Sequence, residues 1–365
     1  MPSKSFFYIN SKILGLKIVF MSKIKIGKKI IGKNYKPYVI VEACVNHQGN
    51  FEIAKKMIYF SKKVGADAIK FQHHILEEEM LKTVPRSKNF KVSLWDVIKK
   101  TNFTLNEHKK LKIYCDKIGI EYLCTPFSMK AADELEKIGV KAFKTGSGEL
   151  TNHPFIEHLA KKNKPIILST GMSKPEEIDE TVKILKKHKS KFVIMHCISA
   201  YPCPYEIMNL DYLKKLEKKY NVPVGLSDHT PTFYTSLGAV SLGASLIEKH
   251  FTFNKNLSGP DHKSSIDAKE LKYLIAGTSA NFLARGSNKK IFKQEKQIVN
   301  WARESVVSTR KIKKGEILTL KNISVKRPSP KKGEIPAKLY KNVINLKSKI
   351  DIQNNRKIKW SQIVK

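Results

Sequence analysis

The sequence predicts an α/β fold, a TIM (β/α)8 barrel followed by a small β-rich module. Three observations lead there. From Pro37 onward short β-branched runs alternate with longer amphipathic stretches, the pattern of a parallel sheet with right-handed crossovers. Eight such runs occur, the number that closes a barrel rather than an open doubly wound sheet. Polar side chains follow every run, as expected where strand ends converge on one catalytic mouth.

The strands are expected at Val39–Val41, Ala66–Phe71, Ile120–Cys124, Ala142–Phe143, Pro165–Leu168, Phe192–Met195, Val222–Leu226 and Ser245–Ile247. Between them lie helical patterns such as Phe51–Val64, Asn106–Lys117, Lys130–Ile138, Pro175–Lys187 and Tyr234–Leu242, read from apolar residues at helical spacing. The insertion His73–Phe103 is long for a βα loop and is therefore assigned a functional part. Residues 1–36 carry lysines and no acidic residue and are treated mainly as an extension before the fold. The barrel is assigned to 37–290, a linker to 291–304, and the β-rich module to 305–365. That module contains an internal echo, Ile312-Lys-Lys-Gly-Glu-Ile-Leu with Asn322-Ile323 and then Ile350-Asp-Ile-Gln with Gln362-Ile363.

Composition narrows the function. At 365 residues the chain suits a barrel plus a small module, and 41% hydrophobic residues suffice for a large core. The formal charge of +37 invites a nucleic-acid reading. Against it, the basic residues are mostly lysines dispersed along the chain, with arginine only at Arg86, Arg285, Arg303, Arg310, Arg327 and Arg356. No basic stripe or arm results, so nucleic-acid binding is not the expected function. A positive field does attract phosphorylated substrates. Cys44, Cys115, Cys124, Cys197 and Cys203 are odd in number and make no C-x-x-C pair. They read as small buried residues of a reduced cytoplasmic protein. No apolar run approaches the length of a membrane span; Ile13–Phe20 is interrupted by Lys17.

The chemistry sits at the strand ends. Glu42 ends the first strand, Lys70 and Gln72 the second, Thr125 the third; Lys144, Ser147 and Glu149 follow the fourth, Ser169 the fifth and Ser199 the sixth. Ser227 and His229 end the seventh, Glu248 and His250 the eighth. Residues two apart share a face, so Lys70/Gln72, Ser227/His229 and Glu248/His250 are each expected to point inward together. His229 and His250, on adjacent strands, suit a divalent metal with open positions; hydrogen-bonded barrel histidines are the other reading. Glu248 is a candidate to hold a metal-bound water or orient a histidine. Lys70 and Lys144, with the hydroxyls of Thr125, Ser147, Ser169 and Ser227, suit a carboxylate and a phosphate together. The rival is an imine-forming lysine, which needs no metal; the histidine pair favours anion binding. His47 belongs either to the site or to its loop's packing.

These residues fall in ordered motifs: Val-Glu-Ala-Cys-Val-Asn-His-Gln-Gly (41–49), Lys-Phe-Gln (70–72), Cys-Thr-Pro-Phe (124–127), Lys-Thr-Gly-Ser-Gly-Glu (144–149) and Leu-Ser-Thr-Gly-Met (168–172). Then come His-Cys-Ile-Ser-Ala-Tyr-Pro (196–202), Gly-Leu-Ser-Asp-His-Thr (225–230), Glu-Lys-His-Phe (248–251) and Gly-Pro-Asp-His (259–262). The set resembles the N-acetylneuraminate (sialic acid) synthase family from Tyr38 to the C-terminus. The region from about Ser305 resembles the SAF domain (antifreeze-like, a β-clip fold) that follows this barrel. The resemblance implies condensation of phosphoenolpyruvate with the open-chain aldehyde of N-acetylmannosamine, or of a related sugar leading to legionaminic or pseudaminic acid. Water adds at C2 and phosphate leaves by C–O cleavage.

By the same resemblance, Lys70, Thr125, Lys144, Ser147, Ser169, Ser199 and Ser227 would hold phosphoenolpyruvate. Glu42, Gln72, Asn89, Glu149, Tyr201 and Asp261 would surround the sugar, and His229 and His250 would bind manganese or magnesium. Glu42 or Glu248 would handle protons. A homodimer is implied, in which Arg327 of Lys326-Arg327-Pro328 reaches the partner's sugar. The sequence departs from the family pattern at Ser199, at Ser329-Pro330 and at Asn354-Asn355, which leaves subfamily and lid geometry open. Asn89 favours N-acetylmannosamine.

Overall fold

The computed structural model describes residues 23–85 and 92–365; Ile13–Phe20 and Asn89 lie outside the described residues. The chain divides into two compact units, the second beginning at Gly286.

In the first unit a hairpin of β1 (Ile24–Ile26) and β2 (Lys29–Ile31) precedes the barrel. The barrel strands are β3 (Tyr38–Glu42), β4 (Ala68–His73), β5 (Glu121–Pro126), β6 (Phe143–Lys144), β7 (Ile166–Ser169), β8 (Phe192–Cys197), β9 (Val224–Asp228) and β10 (Leu246–His250). They pair in parallel in the order β5-β4-β3-β10-β9-β8-β7-β6, and β5 lies beside β6 to close the ring. Every expected strand forms, but most run one to three residues further toward the C-terminus than apolar patterning indicates. Glu42, Gln72 and His250 are in the strands yet carry charge or polarity, so an apolar-run criterion stops short of them.

Period-two alternation sorts the strand residues. Val39, Val41, Ile69, Phe71, Tyr122, Ile166, Ile194 and Ile247 face the helices and form the main core. Ile40, Ala68, Leu123, Ala142, Ile167, Val193, Met195 and Leu246 fill the N-terminal half of the barrel interior. Gly225 belongs to that layer for lack of space. A Cβ there would lie 2.5 Å from Met195 Sδ and 2.6 Å from the Leu246 carbonyl oxygen.

Residues 24–31 correct the reading of 1–36 as mainly an extension. Ile24, Ile26 and Ile31 are buried in the same cluster as Ile40 and Leu246, so the hairpin stops the lower end of the barrel. Lys29 pairs with Asp67 at 3.1 Å and Lys33 with Glu217 at 2.9 Å. The alternation Ile-Lys-Ile is too short to stand out among neighbouring lysines, and only the barrel supplies the surface that buries it.

Helices follow most strands. Phe51–Val64 and Pro175–Lys187 form with the expected ends. The first starts at Asn50, whose side chain accepts from the Glu52 and Ile53 N–H groups, and stops at Gly65 in the left-handed region. Among its described residues the insertion after β4 carries two short helices, Leu76–Glu79 and Leu94–Thr101. Among the described residues no helix is long and apolar enough to cross a membrane.

The second unit includes residues assigned above to the end of the barrel and to a linker; Lys296–Ala302 is a helix. Its core is Val306, Ile312, Leu318, Ile323, Ile335, Val343, Ile352, Ile358 and Ile363. β11 (Ser305–Ser308) pairs with β12 (Ile323–Lys326), and β13 (Lys347–Ser348) with β14 (Ile363–Val364), both antiparallel. The sequence echo becomes a structural one. Ile312 and Ile352 exchange backbone hydrogen bonds of 2.8 Å. Asn355 takes the left-handed turn position (φ 58°) that Gly315 takes in the first half (φ 84°), a conformation asparagine tolerates.

Candidate active site

The upper half of the barrel opens into a cavity of about 550 Å³. Glu42, Lys70, Gln72, Thr125, Lys144, Ser147, Glu149, Ser169, Ser199, Tyr201, Ser227, His229, Glu248, His250 and Asp261 all line it. The pairs Lys70/Gln72, Ser227/His229 and Glu248/His250 do share the inward face. Arg327 belongs to the second unit, where its Nε donates to the Ala302 carbonyl (3.1 Å) and its guanidinium lies over Trp301. His47 stacks on Phe103, with ring centroids 4.2 Å apart, and its Nδ1 accepts from the Gly49 N–H; it serves loop packing.

At the centre are two ammonium groups and two carboxylates, all buried. Strand register puts Glu42 opposite Lys70, and the two form an ion pair. Lys70 also donates to Thr125 Oγ1 at 3.0 Å. Glu248 lies between the cations, 3.9 Å from Lys70 and 3.6 Å from Lys144, and accepts from Ser227 Oγ at 2.9 Å. Burial works against its charge, but Lys144 and Lys70 outweigh it and hold Glu248 below the usual carboxylate value. Glu42 goes the other way: burial, aided by Glu248, pushes it up to about 7 against the pull of Lys70. With Glu42 protonated, two ammonium groups face one carboxylate, and the site carries a net positive charge for an incoming anion.

Hydroxyls complete one wall. Ser147 Oγ donates to Ser169 Oγ at 3.2 Å and accepts from the Gly171 N–H at 3.2 Å. Glu149 has one buried carboxylate oxygen without a hydrogen-bond partner among the described residues, and burial pushes it up to about 7. Met80, Leu94, Val97 and Ile98 of the insertion give the cavity an apolar wall.

The histidines end β10 and the segment after β9, with ring centroids 5.3 Å apart. His229 Nδ1 lies 2.9 Å from the Ile198 carbonyl. A carbonyl only accepts, so Nδ1 carries a hydrogen and Nε2 is the nitrogen left to face a ligand. Burial works against the charge of His229, but Cys197 and the Ile198 carbonyl outweigh it and hold the ring above its usual value. Burial and the cations around it hold His250 well below its usual value, hence neutral. Its Nδ1 is buried without a hydrogen-bond partner among the described residues. His250 Nδ1 and, once it gives up its proton, His229 Nε2 are unspent nitrogens that fit a divalent metal.

Sequence reading missed four contributors. Cys44 and Cys197, taken as small buried residues, line the cavity; they are indeed buried and unpaired. Although burial raises a thiol, His229, Ser147 and Lys144 bring Cys197 down to about 6. Asp228 and Lys249 point to the other face of the sheet, 3.3 Å apart and fully buried. Lys249 donates to the backbone carbonyls on either side of His229, at Asp228 and Thr230, while the Asp228 carboxylate accepts from Thr230, Thr235 and Ser236. The pair ties β9 to β10 behind the two histidines. An Asp-His and a Lys-His neighbour pair was the available signal, since adjacent strand residues face opposite ways.

Comparison with known proteins fits this geometry. Residues 57–290 match the NeuB family and 303–364 the SAF domain. The chain belongs to the NeuB family. It is 39% identical over 305 residues to an N,N'-diacetyllegionaminic acid synthase of Campylobacter jejuni, covering 80% of this chain and 91% of that one. It is 31% identical over 332 residues to the human N-acetylneuraminate-9-phosphate synthase, covering 89% and 92%. Among solved structures, the N-acetylneuraminic acid synthetase of Leptospira borgpetersenii, bound to citrate, superposes with a TM-score of 0.71 at 32% identity. That match covers 76% of this chain and 95% of the other. This NeuB-family protein is thus a sialic-acid-synthase-like barrel enzyme with a C-terminal SAF domain.

Proposed function

We propose that the enzyme condenses phosphoenolpyruvate with the open-chain aldehyde of an N-acylated amino sugar, releasing phosphate and a nine-carbon keto acid. The observation that carries the reading is the buried Lys70–Lys144 pair sharing Glu248, a cationic floor ringed by hydroxyls. Phosphoenolpyruvate brings a carboxylate and a phosphate, and the ammonium groups with Thr125, Ser147, Ser169, Ser199 and Ser227 supply charge-assisted donors for both. C3 of the enol forms the new bond to the aldehyde carbon; water adds at C2, and the bond from C2 to the phosphate oxygen breaks. Glu42, pushed up to about 7 by burial, is the group suited to exchange a proton near neutral pH, and Glu248 stays ionised to hold the lysines. A divalent metal held by His229 and His250 would supply Lewis-acid polarisation of the aldehyde. Gln72, Glu149, Tyr201 and Asp261 line the space left for the sugar.

Two acceptors are in question. N-acetylmannosamine is the expectation from sequence, although Asn89, on which it leaned, lies outside the described residues. The apolar wall of Met80, Leu94, Val97 and Ile98 favours the second, a 2,4-diacetamido-trideoxy hexose, whose acetyl and deoxy methyl groups match it. The identity to the Campylobacter jejuni synthase supports the same choice. The proposal includes a cytoplasmic homodimer in which Arg327 of one subunit serves the other's cavity. Phosphate release assayed with phosphoenolpyruvate and both sugars, with and without chelator, tests the reaction: release should need all three components. Release without a sugar, or with none of the sugars, refutes it. Mixed dimers carrying Arg327→Ala in one subunit and Lys144→Ala in the other should regain part of the activity.

A further inference from the structure

Deepening the metal-dependent reading above, we propose that Cys44 and Asp261 join His250 as ligands, making the site thiolate-bearing and selective for a borderline or soft transition ion. Three observations meet at this point of the cavity. One donor atom each from Cys44, His250 and Asp261 lies within 4.8 Å of the other two, and all three residues are buried. His250 is 6% exposed, and its Nδ1 is without a hydrogen-bond partner among the described residues. Cys44 sits in the left-handed region at φ 43°, where a residue with a Cβ is disfavoured and glycine is not. The N–H of Cys44 donates to Glu42 Oε1 at 2.9 Å, which holds the loop in that shape. A thiol in the left-handed region, packed with Val45 and Ile98 yet beside a spare imidazole and a carboxylate, indicates that its sulfur has a task.

The donor set decides the ion. Thiolate, imidazole and carboxylate together suit zinc, iron(II) or cobalt(II), whereas magnesium takes oxygen ligands and keeps its waters. The expectation of manganese or magnesium therefore narrows, with magnesium disfavoured. As the metal–sulfur bond forms, the thiol gives up its proton to solvent.

The test uses the full-length protein, stripped with chelator and titrated with Co²⁺ or Mg²⁺. The wild type should bind one cobalt per chain and develop a near-ultraviolet thiolate-to-cobalt charge-transfer band. Cys197→Ser, which removes the cavity's other thiol, should keep the band. Cys44→Ser and Cys44→Gly should lose it and bind cobalt about tenfold more weakly or worse. Glycine suits the left-handed backbone, so Cys44→Gly should fold at least as well as the wild type, which separates ligand loss from misfolding. Cobalt bound tightly to wild type without the band, or a band that survives Cys44→Gly, overturns the ligand set, as does failure to bind cobalt at all. Each of these outcomes differs from failure of the condensation reading, which shows as no phosphate release from the metal-replete wild type.

Discussion

The lower and upper halves of the barrel interior are built from the same strands and contrast in almost every other respect. Below, Ile40, Ala68, Leu123, Ile167, Val193 and Leu246 meet the isoleucines of the hairpin in a dry, filled layer. Above, two residues further along the same strands, Glu42, Lys70, Thr125, Ser169 and Glu248 surround open space. The lower half supplies stability through apolar burial. The upper half keeps charges out of water that would be disfavoured singly and are tolerated because each has a partner. A rigid lower layer is what lets the upper one hold unsatisfied groups in fixed positions for a ligand.

The contrast can be broken from either side. The largest effect is expected from Lys70→Met in the upper half. Losing one preorganised cation should reduce phosphate release by about 10²–10³-fold, with the far-ultraviolet circular dichroism unchanged; near-normal turnover would remove Lys70 from the reaction. Below, Ile31→Ala should lower unfolding free energy by about 2–5 kcal/mol in urea titration, while turnover of the folded fraction stays close to wild type. If that variant instead loses activity without losing stability, the hairpin is no mere stopper. Gly225→Ala, also below, should destabilise by about 1–3 kcal/mol, because the new methyl meets Met195 and the Leu246 backbone. A stability unchanged by this methyl would mean that the layer is looser than described.

The smallest effect concerns Glu149, and its sign follows from linkage. Burial raises its carboxyl from 4.5 to about 7 in the folded protein, so folding favours the protonated form. Its contribution is fully present below pH 4.5 and is lost as pH rises through about 7. Glu149→Gln should therefore gain stability relative to wild type above pH 7, by about 1 kcal/mol given the cavity's access to water, and lose that advantage in acid. Thermal melts across pH 4–8 check this; a constant difference would contradict it.

Much of this was legible in the chain. Alternation between β-branched runs and amphipathic helices carried the barrel, and pairs two residues apart carried the inward face. Lys70/Gln72 and Glu248/His250 were found on that ground alone. The hairpin was not found, because its isoleucines alternate with lysines over only a few residues. Cys44 and Cys197 were read as packing, since a cysteine's type does not tell whether its wall faces core or cavity. The Asp228–Lys249 pair is hidden behind more noticeable histidine neighbours, and only the parallel pairing of β9 with β10, which sets Lys249 beside Asp228, reveals what Lys249 holds.

By itself, then, the sequence determined the class of fold and the chemical inventory of the mouth, because both are local: strand and helix periods span a few residues, and residue type fixes donor or acceptor character. Tertiary structure decided everything that depends on distance between strands. It separated the two glutamates into one held ionised by two lysines and one raised by burial, and brought Cys44 and Asp261 to His250. Their spacing arises from barrel closure, which brings residues far apart in sequence to a few ångströms, and no local pattern encodes it.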